Sequence, residues 1–154
     1  MRMIRDADWP ASAMFFLSGC CEQMRWVRGR PEPLLVMDRS LWSTLAVQAA
    51  QEPRRLEALL ALLRPIALQV RVPDLTLVLE ASFTTCQARI ARKTGLARAL
   101  DELTATEVHH RREHEFYRWL GRQTADVASF GVDDTTVEAL AGQAAALIGK
   151  WVPC

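Results

Sequence analysis

No run in this sequence approaches the ~18 apolar residues that a membrane-spanning helix needs, so no membrane partner is expected. Cysteine is scarce and scattered. Cys20, Cys21, Cys86 and Cys154 form no CxxC and no spacing typical of a zinc site or a disulfide framework, and they read as reduced thiols in a cytoplasmic protein. An excess of charge is also missing: 19 basic residues against 18 acidic ones leave a net charge of +1. That balance excludes a dedicated nucleic-acid binder and requires any anion site to be local. Internal repeats and low-complexity tracts are absent as well. The segment Leu17-Ser18-Gly19-Cys20 has the form of a lipoprotein cleavage box behind Arg2 and Arg5. Asp6, Asp8 and Pro10 break up that leader and its apolar core is short, so a helix containing small residues is the expected reading.

What is present suits one globular domain spanning residues 1–154. Half of the 154 residues are hydrophobic and 24% are charged, enough to bury about two thirds of the unfolded surface around one core. The stretch Pro33–Gln48, PLLVMDRSLWSTLAVQ, organises the rest. Leu34, Leu35, Val36 and Met37 are an unbroken apolar run, expected as a strand buried on both faces, and Asp38-Arg39 stops it. Alone, such a pair is a solvated strand end with an ion pair worth ~0–1 kcal/mol. In an open parallel α/β sheet, however, the carboxyl ends of strands face the ligand crevice. Hydroxyls from Ser40 to Thr44 can then cap a helix running to about Gln51.

The flanking chain reads as alternating helix and strand. Pro10 opens a helix whose apolar face is Ala13, Leu17, Cys20, Met24 and Val27, and Gly29 closes it. Leu56, Leu59, Leu60 and Leu63 mark another helix, which Pro65 ends. The segment Val72–Glu80, VPDLTLVLE, is expected as a second strand, with a helix through Arg89 and Arg92 behind it. Residues 93–104, with Arg98, lack apolar periodicity and read as a loop. Thr104 and Glu107 predict a capping box for a polar helix from about Ala105 to Gln123. Asp126–Val132 is expected as a third strand, and Thr135–Trp151 as a closing helix with Leu140, Ala144 and Leu147 inward.

Three of these segments carry a resemblance. The spacing D-R-x-x-x-S-x-x-x-x-Q from Asp38 to Gln48, followed by PDLTLVLE at Pro73–Glu80 and the R-R-x-x-x-x-Y-x-x-L of Arg111–Leu120, resembles the thymidylate kinase family and its deoxynucleoside kinase relatives. The resemblance implies an α/β fold with a mostly parallel, three-layer sheet of the P-loop nucleotide kinase kind. It implies a nucleoside or nucleotide substrate that receives a phosphoryl group from ATP with Mg2+, and it is compatible with a homodimer. Carried over residue by residue, Asp38 and Arg39 act at the phosphates, and Phe16, Ser43 and Gln48 lie beside the acceptor. Arg89, Arg92 and Arg98 belong to the phosphates and the lid at about 93–104, and Arg39 is expected to share one anion site with Arg89 and Arg92. Phe15, Phe16 and Trp42 are available as a stacking surface for a base.

The chain also departs from the family. No G-x-x-x-x-G-K-[ST] phosphate loop occurs in it. The match covers nearly all of this chain but only the later part of a full kinase, so an N-terminally incomplete kinase fold, inactive alone, is expected. A non-catalytic nucleotide-binding or interaction module is the alternative. In the resembled family the strand behind the phosphate loop lies between the Asp-Arg strand and the PDLT strand. Leu34–Met37 and Leu75–Leu79 are therefore expected to pair directly, to receive a strand from another chain, or to leave the protein marginal. Where thymidylate kinases carry Asp-Arg in the first helix this chain has Gly19-Cys20, and Asp38-Arg39-Ser40 leans toward the Glu-Arg-Ser of deoxynucleoside kinases. A minor alternative is a zinc hydrolase, from the H-x-x-E-H of His110–His114, whose third ligand would have to come from Glu115, Asp126, Asp133, Asp134 or Glu138.

Overall fold

The computed structural model describes residues 9–28, 34–66, 72–95, 98 and 105–150. The chain divides into two compact units, Met1–Pro73 and Asp74–Cys154.

The first unit is helical. Helix α1 spans Trp9–Val27, α2 spans Leu41–Gln51 and α3 spans Arg55–Leu63, with a 3₁₀ turn over Arg64–Ile66 where Pro65 removes a backbone donor. The apolar periodicity of α1 does what its spacing requires: Ala13, Leu17, Cys20 and Met24 are buried along one stripe. Helix α1 packs on α2, and α2 packs on α3. Leu45, Ala46 and Leu59 are completely buried between them. Ser40 caps α2, its Oγ accepting from the Trp42 N–H at 3.3 Å. Arg55 stacks over the Trp9 ring at 5.3 Å, a contact that ties α3 to the start of α1.

The expected strand at Leu34–Met37 is not formed. These residues carry no ladder, and Leu34 and Val36 are 48% and 78% exposed. An apolar run becomes a strand only when a neighbouring strand satisfies its backbone, and none among the described residues does so. Asp38 and Arg39 therefore sit in a bend ahead of α2 rather than at a strand end. The bend places Arg39 at φ 75°, the single left-handed non-glycine residue among those described.

The second unit is α/β. Strand β1 (Thr76–Glu80) pairs in parallel with β2 (Val127–Gly131), in register Thr76 to Val127 and Glu80 to Gly131. The two strands come from the expected second and third strand segments, and they make the whole sheet among the described residues. A parallel pair needs a long crossover. The crossover contains α4 (Phe83–Ala91) and α5 (Glu107–Gln123), and α6 (Val137–Ile148) follows β2. Direct pairing of Leu34–Met37 with Leu75–Leu79, one of the three outcomes expected for these segments, is not formed, and β1 pairs with β2 instead. Mixed helix and strand with a parallel sheet is an α/β arrangement.

Val78, Ala81, Phe116, Leu120 and Val132 supply the apolar centre of this unit. Helix α5 is capped two residues later than expected, by Thr106 Oγ1 accepting from the His109 N–H at 3.2 Å. Thr104 lies outside the described residues, as do most of residues 93–104. The expected inward residues of α6, Leu140, Ala144 and Leu147, are half-buried, and none of that helix is fully covered.

Candidate functional site

The spacing of α2 assembles the site. Ser40, Thr44 and Gln48 recur every four residues, with Ser43 and Val47 beside them, so all five share one flank of the helix. From Ser40 to Gln48 the flank rises about 12 Å. On α1 the residues Phe16, Cys20 and Gln23, spaced four and then three apart, likewise share one flank, with Phe15 and Gly19 alongside. Packing α1 on α2 turns the two flanks into the walls of a groove of about 480 Å³, within the range of small-ligand sites. Arg39, in the bend before α2, also lines it.

The walls differ in character. Phe15 and Phe16 meet edge to face, ring centres 5.5 Å apart and planes at 79°, and are 67% and 41% exposed. Large aromatics left that open offer a flat apolar face to a ring. Cys20 Sγ lies 3.8 Å from Thr44 Oγ1. Burial raises the Cys20 thiol above its ordinary pKa against the opposing pull of the Thr44 hydrogen bond, so it stays protonated and serves as wall rather than nucleophile. Gln48 is 3% exposed, and its Oε1 is buried with no hydrogen-bond partner. A buried amide oxygen in that state costs about 1–3 kcal/mol, and here it belongs to a residue that lines an open groove.

Five residues singled out from the sequence, Phe15, Phe16, Arg39, Ser43 and Gln48, thus line one groove. Asp38 is exposed in the bend and does not line it. Trp42 is half-buried and does not line it either. Sequence reasoning singled out neither Cys20 nor Thr44 for the site, and the four-residue spacing from Ser40 was the signal that would have found Thr44. Arg89 and Arg92, at the end of α4, and Arg98 are exposed residues of the second unit.

In that unit the carboxyl ends of the two parallel strands carry a polar cluster. The Ser82 N–H donates to both carboxylate oxygens of Asp133 at 3.0 Å, and Ser82 Oγ caps α4 by accepting from the Thr85 N–H. The Thr85 hydroxyl and the Ser82 N–H hold the Asp133 carboxyl below its ordinary pKa, with Arg89 adding to the effect. An Asp133 carboxylate therefore occupies the donor end of α4.

His110 shares its Nε2 with the Ala81 carbonyl oxygen at 2.9 Å, stacks at 4.3 Å on His114 and meets Phe83 edge to face. Among the described residues no group of three or more His, Cys, Asp or Glu side chains that could hold a metal comes together around the H-x-x-E-H segment. Burial and the neighbouring His110 lower the pKa of His114. The unfolded chain consequently binds a proton more readily at this residue than the folded one does. The His114 contribution is intact above the ordinary histidine value and is lost as pH falls through the lowered value. Replacing His114 by Gln is expected to flatten the fall in melting temperature across that mildly acidic window. Scanning fluorimetry against pH checks it, and parallel curves for the two proteins would refute it.

Among the described residues no helix is long and apolar enough to cross a membrane. No protein-family model, curated protein or solved structure significantly matches this chain.

Proposed function

We propose that this chain is a homologue of the thymidylate and deoxynucleoside kinases that binds a nucleoside or nucleoside monophosphate in the groove between α1 and α2. The observation that carries the reading is the convergence of Arg39, Ser43, Gln48 and Phe16 on that groove. The groove also gathers the chemistry such a ligand needs: exposed aromatic faces for a base, the amide-bearing residue Gln48, hydroxyls along the middle and the Arg39 side chain. Arg39 is suited to a phosphate or a 5′-hydroxyl by its fixed fork of donors.

A kinase of this type cradles ATP in G-x-x-x-x-G-K-[ST], a motif that the sequence does not contain. These residues therefore supply the acceptor side, and no transfer step is assigned to them. This favours the reading of a nucleotide-binding module over that of an autonomous enzyme. Free thiols at Cys20, Cys21 and Cys86 suit a cytoplasmic setting.

The purified 154-residue protein is expected to melt at a higher temperature with at least one of a panel of nucleosides and 5′-monophosphates. It is expected to show no transfer from Mg2+-ATP to any of them above background. A panel without a single shift would refute acceptor binding, and magnesium-dependent turnover would refute the assignment of the acceptor side alone.

A further inference from the structure

Gly19 stands in the middle of a 19-residue helix, where glycine is the least favoured residue apart from proline. Three ordinary reasons for a mid-helix glycine fail here. Its φ is not positive. A Cβ built at this position meets no atom within 4 Å, so no close helix approach demands its absence. Nor does it end the helix, which runs on to Val27. What Gly19 does instead is line the groove with Phe15, Phe16, Ser43 and Gln48. The space a side chain would occupy is therefore groove space, beside an aromatic pair and in the same groove as a buried amide oxygen that lacks a partner.

We infer that Gly19 is a specificity-determining residue, which keeps the α1 wall open so that a ring of purine size can enter the groove. The inference rests on the proposed nucleoside-binding reading and adds the size class of the base to it. A side chain at residue 19 takes up volume that the second ring of a purine needs and that a single six-membered ring can do without.

The test is calorimetric titration of the full chain and of Gly19→Ala and Gly19→Leu with adenosine, guanosine, thymidine and deoxycytidine, the helix content of each variant being checked by circular dichroism. Gly19→Ala is expected to melt higher than the parent, because alanine favours the helix, while binding its best purine nucleoside about tenfold more weakly. Gly19→Leu is expected to lose purine binding to below detection and to lose less for pyrimidines. Should Gly19→Leu fail to fold, the alanine variant decides alone. If the parent binds a purine nucleoside and both folded variants bind it as tightly, or if the parent binds pyrimidines only, the inference is overturned while the nucleoside reading stands. If the parent binds none of the four nucleosides and no 5′-monophosphate, the nucleoside reading fails and takes the inference with it.

Discussion

Replacing Gln48 by Met is expected to raise the melting temperature of the free protein and to weaken nucleoside binding by roughly one to two orders of magnitude. Both effects come from one atom. Oε1 of Gln48 is buried and has no hydrogen-bond partner, and a buried polar atom in that state destabilises a fold by about 1–3 kcal/mol. Methionine has nearly the same length and shape without the demand for a donor, so the free protein gains most of that amount. A bound base that donates to Oε1 meets an apolar side chain in the variant instead, and its own donor is left unsatisfied. That costs a comparable amount, which converts to the expected change in Kd. Thermal melting and calorimetric titration of the same two proteins measure it. A variant that melts lower than the parent and binds as tightly would show that Oε1 faces no ligand.

The second large effect is expected at Arg39. Its φ of 75° is the left-handed conformation, which costs a residue with a side chain roughly 1–2 kcal/mol. Strain of this kind persists where the surrounding structure holds it in place, and it clusters at functional sites. Arg39→Gly relieves the strain and is expected to stabilise the free protein by about 1 kcal/mol, since part of the gain is offset by the greater freedom of glycine in the unfolded chain. The same variant removes the guanidinium from the groove. Affinity for a nucleoside monophosphate is expected to fall by about a hundredfold, in line with the ~1.5–3 kcal/mol of a charge-assisted hydrogen bond. Affinity for the uncharged nucleoside should fall much less. A loss equal for both ligands would show that Arg39 does not meet the phosphate. Arg39→Ala separates the two causes, because it keeps the strain while losing the charge.

These two substitutions are expected to pair higher stability with lost binding, and that trade would distinguish a ligand groove from a packing defect. A merely imperfect core would gain stability without consequence. The groove also accounts for the mixed exposure of its aromatics: Phe15 and Phe16 remain open, although α1 buries a full apolar stripe elsewhere.

How legible this was in the sequence depended on the range of the interactions involved. The stripe of α1 at Ala13, Leu17, Cys20 and Met24 follows from a helical period that a single segment carries within itself. The same holds for the cap at Ser40 and for the four-residue spacing that sets Ser40, Thr44 and Gln48 on one flank of α2. The helix of Glu107–Gln123 was also readable, but its cap was not. Thr104 and Thr106 offer the same hydroxyl two residues apart, and only the backbone path decides which one meets the His109 N–H.

Strands are different, because a strand is defined by its partner. Leu34–Met37 and Thr76–Glu80 have similar apolar content, yet only the second finds a parallel neighbour, at Val127–Gly131. Nothing local to either segment distinguishes them. The sequence by itself therefore determined the helices at Trp9–Val27, Leu41–Gln51, Arg55–Leu63 and Glu107–Gln123, though not the helical state of Gly95 and Arg98 where a loop is expected, and it determined that Arg39, Ser43 and Gln48 stand along one stretch of chain. Only the tertiary structure decided that β1 pairs with β2, that the bend at Arg39 is left-handed, and that α1 brings Phe16 and Gly19 to the flank of α2. The reason is physical: helical hydrogen bonds close within four residues, whereas a ladder and a groove wall depend on residues tens of positions away, whose contribution no local pattern encodes.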